Sequence, residues 1–178
     1  MLPVGKLLDR CRRLRRTRAA SADDLATRLV LRSLALRIAA ATTEAAELER
    51  ELLGHVRALA PALLDEPGIG PVVAAQLIVG WSYHGRLRNE ACFARLAGVA
   101  PVPASSGQTQ RSRGGDRQLN RALHMILVTR KRTHPATIAY VERRLAEGKT
   151  RREANRCLKR YLARSLYRLL EHEPPTAT

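Results

Sequence analysis

The stretch from Gly98 to Arg117 reads Gly-Val-Ala-Pro-Val-Pro-Ala-Ser-Ser-Gly-Gln-Thr-Gln-Arg-Ser-Arg-Gly-Gly-Asp-Arg and is the longest part of the chain that cannot be a helix. Pro101 and Pro103 hold extended backbone, because each ring fixes φ and removes an N–H donor. A Ser-Ser-Gly turn at Ser105 to Gly107 follows, then an Arg- and Gly-rich segment that opens a new helix at Asp116. Both flanks carry helical periodicity. The pattern predicts an all-α chain: a long coiled-coil-like helix, then a compact helical domain with a helix-hairpin-helix and an irregular serine-bearing loop.

Upstream, Ser21 with Asp24 three residues on is a helix N-terminus signal, a hydroxyl cap answered by a carboxylate. From there to Ala60 no proline occurs, and no glycine before Gly54. Leu31, Leu34, Ile38, Ala41, Ala45, Leu48, Leu52 and Leu59 alternate threes and fours as a heptad-like seam, with Glu44, Glu47, Glu49 and Glu51 on other faces. Such a helix either lies on its own domain or is an arm. The arm reading makes residues 21–60 the surface of a homo-oligomer, or a spacer.

Residues 61–81 hold a short helix ending at Pro67, glycines at 68 and 70, and a second helix starting at Pro71, where a first turn tolerates proline. The Pro-Gly-Ile-Gly pattern is that of a helix-hairpin-helix, in which Gly68 and Gly70 would let backbone approach a nucleic-acid phosphate. An ordinary helical corner has the same residues, and Pro71 removes one of the donors a phosphate would use. Beyond the loop, Asp116 caps a helix whose Leu119, Ala122, Leu123, Ile126 and Leu127 form an i, i+3, i+4 stripe. His134-Pro135 breaks it. A helix over 136–146 stops at Gly148, and a last helix runs from Thr150 to about Glu171 with an apolar face of Ala154, Cys157, Leu158, Tyr161, Leu162, Leu166, Leu169 and Leu170.

Charge decides the class of partner. The chain carries 32 Lys and Arg against 16 Asp and Glu, a formal net charge of +16, and the cations are almost all arginine. A GC-rich genome explains arginine in place of lysine but not the excess over acid. A surplus of this size points to a polyanion partner, because neutralising phosphates releases condensed counterions, and the arginine fork matches phosphate geometry. Between 151 and 168 seven cations face one acid, Glu153, so Arg152, Arg156, Arg160 and Arg164 are candidate phosphate contacts rather than a merely solvated face. Residues 1–20, with six arginines between Arg10 and Arg18, read as a basic arm, partly disordered through self-repulsion. Residues 173–178 read as a frayed tail. Aromatics at 3% argue against a base-stacking platform. Cys11, Cys92 and Cys157 are too scattered for a zinc site or disulfide framework, no apolar run spans a membrane, and the N-terminus lacks a signal-peptide core. A reducing compartment fits this cysteine usage.

The five histidines lack metal-ligand spacing, and the carboxylates form no cluster suited to two magnesium ions. The Ser-Ser-Gly turn earns a functional reading only through its flanks. A serine hydroxyl needs a base, a metal or a strongly electropositive phosphate site, and Arg111, Arg113, Arg117 and Arg121 lie near enough in sequence to neutralise a phosphate under attack. On chemistry alone an ordinary turn serine remains the simpler reading.

Four ordered motifs add to this: Pro-Gly-Ile-Gly-Pro at 67–71, Ala-Gly-Val-Ala-Pro-Val-Pro-Ala-Ser-Ser-Gly at 97–107, Arg-Gly-Gly-Asp-Arg-Gln-Leu-Asn-Arg-Ala-Leu-His at 113–124, and Glu-Gly-Lys at 147–149 with Cys-Leu-Lys-Arg-Tyr at 157–161. Residues 61–172 thereby resemble the C-terminal serine domain of the IS-one-ten / IS-one-sixteen family of insertion-sequence transposases, the bridge-RNA-guided serine recombinases. The preceding long helix resembles that family's coiled-coil insertion. The resemblance implies that Ser106, with Ser105 as alternative, attacks DNA to form a phosphoserine link. It further implies that a structured guide RNA is a partner, and that Mg2+ belongs to a separate acidic RuvC-like domain, leaving no cofactor in this chain. The sequence departs from the family in lacking that acidic domain and in a loop a few residues shorter between Gly107 and Gly114. It therefore reads as a truncated transposase that binds DNA and keeps its nucleophile without acting alone. A non-catalytic helix-hairpin-helix DNA-binding or architectural module is the other reading.

Overall fold

The computed structural model describes residues 3–15, 21–105, 108–111 and 114–172. Their contacts divide into two compact units, Met1–Glu51 and Leu52–Thr178. The class is all-α, with one two-stranded hairpin as the only sheet among the described residues.

The first unit contains α1 (Val4–Arg12) and most of α2 (Ala22–Leu59). Helix α1 falls in the stretch whose charge predicts partial disorder. Val4, Leu7, Leu8 and Cys11 recur there at helical spacing, and Asp9 offsets part of the charge by pairing with Arg12 at 3.7 Å. Helix α2 begins as its cap signal predicts: Ser21 Oγ accepts from the Asp24 N–H at 3.1 Å. It continues unbroken for 38 residues.

The second unit adds α3 (Ala62–Asp65), α4 (Pro71–Trp81), α5 (Glu90–Leu96), β1 (Pro101–Ser105), β2 (Gln108–Arg111), α6 (Arg117–Thr133), α7 (Pro135–Ala146) and α8 (Arg151–His172). Its core centres on α6, whose Leu119, Ala122, Leu123, Ile126 and Leu127 are all buried, as the stripe predicts. Helix α4 closes on α6 through Gly80, where a Cβ would stand only 3.0 Å from Leu119 Cδ1. Helix α8 buries Ala154, Leu158, Leu162, Ala163, Leu166 and Leu170. Tyr161, expected on that face, stays 57% exposed and meets Tyr140 edge-on at the margin. The helix opens with a capping box: the Thr150 N–H donates to Glu153 Oε2 at 2.8 Å, and the Glu153 N–H donates back to Thr150 Oγ1. Its far end fastens the 81–90 connection, with Trp81 Nε1 donating to Glu171 and the Tyr167 hydroxyl to the Leu87 carbonyl.

The segment expected to be an irregular loop is an antiparallel hairpin, with Pro101 opposite Arg111, Val102 opposite Gln110, Pro103 opposite Thr109 and Ser105 opposite Gln108. Both strands are edges, so the donors that the prolines lack face no third strand, and the fixed proline φ already favours extension. The register shift between Pro103 and Ser105 takes up one residue as a bulge.

Candidate functional site

The hairpin leaves the helical body at a crossing that depends on glycine. Gly115 adopts φ +122, and a Cβ there would lie 2.7 Å from the Leu96 carbonyl oxygen and 2.9 Å from the Gly98 nitrogen. Gly98, at φ +65, would bring a Cβ to 3.1 Å from the Gly114 carbonyl. The two strand roots thus touch backbone to backbone, and the Asp116 N–H closes the crossing by donating to the Leu96 carbonyl at 2.7 Å. Asp116 also caps α6, its carboxylate accepting from the Gln118 and Leu119 N–H groups at 2.7 and 3.0 Å. One turn on, Asn120 Nδ2 donates to the Ala97 carbonyl at 2.7 Å, and Asn120 Oδ1 accepts from Lys159 Nζ of α8 at 3.0 Å. The Arg-Gly-Gly-Asp-Arg-Gln-Leu-Asn motif is therefore the hairpin's anchor, tied through Lys159 to the last helix.

Beside this anchor opens a cavity of about 1000 Å3. One wall is the hairpin root from Gly98 to Pro101, and another is Asn120, His124 and Leu127 of α6. The rest is cationic: Arg144 from α7, Lys149 from the α7–α8 connection, and Arg152, Arg156, Lys159 and Arg160 from α8. Among the described residues Glu153 is the one acid lining it, and its carboxyl is held below the usual range mainly by the Thr150 backbone N–H and also by the Thr150 hydroxyl. The Nε atoms of Arg144 and Arg160 and the Oδ1 of Asn155 are buried with no hydrogen-bond partner among the described residues. His124 stays below its ordinary pKa, first through partial burial and then through repulsion from Lys159 and Lys131. Its imidazole is therefore neutral at pH 7 inside a positive field.

The structure sorts the expected contacts. It gathers Arg152, Arg156 and Arg160 at the cavity, where α8 turns them toward the hairpin root. Arg164 is elsewhere engaged: it pairs with Glu90 of α5 at 3.2 Å, and Arg168 pairs with the same carboxylate at 2.7 Å. Arg117 and Arg121 are exposed on α6, outside the cavity lining but on the stripe that also carries His124. Gly70 is open, with nothing within 4 Å of where a Cβ would stand, whereas Gly68 faces protein. At φ +81, a Cβ on Gly68 would come within 3.1 Å of Thr129 Cβ on α6. Arg130 holds that corner from α6, donating to the Pro67 carbonyl at 2.7 Å and to Glu66. Close packing on Thr129 and the positive φ both call for glycine at Gly68. The register sets the Arg111 backbone opposite Pro101, on the cavity wall, and Ser105 ends β1. Ser106 and Arg113 lie outside the described residues.

Sequence reasoning missed Arg144, Lys149, Lys159, Asn120 and His124 as site residues. Lys159 and Asn120 stand 39 positions apart, so only the packing of α8 on α6 brings them together. The signal for four of them was present, because Asn120, His124, Lys149 and Lys159 sit inside the quoted motifs.

Residues 60–142 match the family model described as Transposase IS116/IS110/IS902 family, a span that runs from α3 through most of α7 and includes the whole hairpin. The chain is 33% identical over 132 residues to a 43.6 kDa protein of insertion element IS110 from Streptomyces coelicolor, covering 71% of this chain and 33% of that one. It is 32% identical over 130 residues to a 42 kDa protein of insertion element IS900 from Mycobacterium paratuberculosis, covering 67% and 32% respectively. The chain is related to the IS110/IS900-family transposases over part of its length. It spans about a third of the length of these relatives.

Among the described residues no group of three or more His, Cys, Asp or Glu could hold a metal ion. Glu66, Glu90, Glu147, Glu153 and Glu171 are each engaged by a cation, a cap or an indole. No helix among the described residues is long and apolar enough to cross a membrane.

Proposed function

We propose that this chain is a member of the IS110-type transposase family acting as its serine domain. It binds DNA through the cavity beside the hairpin root and carries Ser106 as nucleophile for strand transfer, with Ser105 as alternative. The supporting observation is that the motif residues Gly115, Asp116, Asn120 and Lys159 tie the serine-bearing hairpin to the wall of a cavity lined by six cations and one acid. A backbone phosphate seated there meets the arginine and lysine donors that neutralise charge developing on a phosphoryl group. The serine oxygen forms a bond to phosphorus as the 3′ or 5′ oxygen of the cleaved strand leaves, and the strand stays linked to protein until a second hydroxyl reverses the step. The resemblance assigns metal chemistry to an acidic domain, and among the described residues no group of carboxylates, histidines or cysteines is suited to it. The guide RNA is a further proposed partner, and self-association through residues 21–60 belongs to the same reading. The bacterial cytoplasm, close to the nucleoid, is the proposed site of action.

The test combines the protein with element-end DNA, the guide RNA and a separately supplied acidic domain of a relative, and looks for covalent protein–DNA adducts. Adducts that vanish in Ser106→Ala support the nucleophile. Adducts that persist in Ser106→Ala but vanish in Ser105→Ala move the role by one residue. Binding without any adduct favours the second reading, a non-catalytic DNA-binding module that uses the same cationic face and the open Gly70 corner.

A further inference from the structure

The seam of α2 is laid bare in the structure. Leu31, Leu34, Ile38 and Leu48 are 41%, 45%, 46% and 54% exposed, and Ala41 and Ala45 between them are exposed as well. The covered side of this helix, where Ala35 is buried and Leu25, Arg28 and Ala39 are half-buried, is a different face. Leu29 and Leu36, also exposed, lie off the seam and add nothing to it.

We infer that this seam is covered by the same seam of a second copy of the chain, running antiparallel, with the twofold axis near Ala39 and Ala40. The inference rests on the proposed self-association of residues 21–60 and fixes its geometry. Two independent features select the direction. The first is side-chain size. In a parallel pair each seam residue meets itself, so Ala41 faces Ala41 and Ala45 faces Ala45, leaving two thin layers between thick leucine and isoleucine ones. Run antiparallel about Ala39–Ala40, Ile38 faces Ala41, Leu34 faces Ala45 and Leu31 faces Leu48. The alanines then always oppose a large residue, and the helices keep a nearly even separation through the centre.

The second feature is charge. Arg37 and Glu44 flank the seam on one side and Glu49 on the other, and none of the three has an ion pair within the chain among the described residues. Parallel pairing sets Glu44 beside Glu49 of the other copy, twice by symmetry, which repels. Antiparallel pairing in the register set by the alanines brings Arg37 beside Glu44 of the other copy, twice. Size and charge are separate properties of the sequence, yet both demand one direction and one register.

The test needs no DNA and leaves Ser106 untouched, so its failure is distinct from failure of the catalytic reading. Full-length protein is first made with Cys11, Cys92 and Cys157 replaced by alanine. Leu34→Cys and Ala45→Cys chains of different tag size are then co-expressed and treated with a short bismaleimide. The expected product joins one Leu34→Cys chain to one Ala45→Cys chain. Leu34→Cys alone should give no dimer, because antiparallel pairing separates the two copies of position 34 by about 16 Å along the axis. Self-linkage of Leu34→Cys, or a monomer in sedimentation at tens of micromolar, overturns the inference. Charge exchange gives a second readout that leaves the seam intact. Arg37→Glu should weaken the dimer roughly tenfold, since two attractions become two repulsions. Adding Glu44→Arg to the same chain should restore it; absence of rescue overturns the register.

Discussion

Asn120 Nδ2 donates to the Ala97 carbonyl at 2.7 Å, and that contact joins the start of α6 to the segment leading into β1. The same side chain accepts from Lys159 Nζ at 3.0 Å, so a single amide spans the hairpin root and the last helix. Replacing Asn120 with leucine keeps the volume and removes both roles. The part-buried Ala97 carbonyl then loses its donor, a loss of about 1–3 kcal/mol. Urea unfolding of Asn120→Leu should show that drop in stability with an unchanged m-value. Asn120→Asp should not rescue it, because a carboxylate accepts from Lys159 but has nothing to donate to Ala97. Equal stability of the aspartate variant and the native chain would mean the Ala97 hydrogen bond contributes nothing.

Gly114 and Gly115 are neighbours with opposite tolerances. A Cβ on Gly114 meets nothing within 4 Å, while one on Gly115 would stand 2.7 Å from a carbonyl oxygen at φ +122. Gly114→Ala is therefore expected to shift stability by about 1 kcal/mol or less. Gly115→Ala should cost roughly 3 kcal/mol or more, as neither backbone can yield without uncrossing the hairpin root. Paired thermal melts of the two variants test this, and similar melting temperatures would refute the crossing as described.

How much of this was readable beforehand depends on whether the cause was local. The Ser21 and Asp116 caps, the α6 stripe and the buried face of α8 follow from contacts three or four residues apart, which periodicity encodes directly. The hairpin is also local, but Pro101 and Pro103 concealed it: proline argues against a strand inside a sheet, and a lone pair of edges is where that argument lapses. Charge partners were hidden for a different reason. Arg168 meets Glu90 across 78 positions, and no pattern in α8 marks Arg164 and Arg168 as already engaged while Arg156 and Arg160 remain turned to the cavity. The chemistry of Ser106 stays with the motif, since its residue lies outside the described structure.

His124 gives a pH prediction with a definite sign. Its folded pKa lies below 6.5, owing to partial burial and then to Lys159 and Lys131. As pH falls through the unfolded value the unfolded chain binds the proton first. Any stability from the neutral ring is therefore present above about pH 6.5 and lost as pH falls toward the folded value. His124 is largely exposed, so solvent screening keeps that contribution small. The binding linkage is the sharper readout. A polyanion in the cavity offsets the two lysines, the imidazole pKa rises, and binding takes up a proton. An NMR titration of the His124 ring with and without duplex DNA should show the upward shift, and affinity should strengthen as pH drops from 7.5 to 6. An unmoved ring on saturation with DNA would place the phosphates elsewhere.

The arginines of α8 should divide into two classes by salt dependence. Each phosphate neutralised contributes about 0.9 to the slope of log affinity against log salt on duplex DNA. Arg152, Arg156 and Arg160 line the cavity, so changing all three to alanine should flatten that slope by close to 3, about 0.9 for each phosphate left without its arginine. Arg164 already has Glu90 at 3.2 Å, so Arg164→Ala should leave the slope almost unchanged. Glu90→Gln makes the converse change. It releases Arg164 and Arg168, costs about 1 kcal/mol or less in stability because both pairs are partly exposed, and steepens the slope if DNA reaches that end of the helix. Fluorescence anisotropy across a salt series separates these outcomes, with circular dichroism confirming that each variant is folded. A loss for Arg164→Ala equal to that for Arg156→Ala would show that DNA follows the whole helix, and the division drawn by Glu90 would fall.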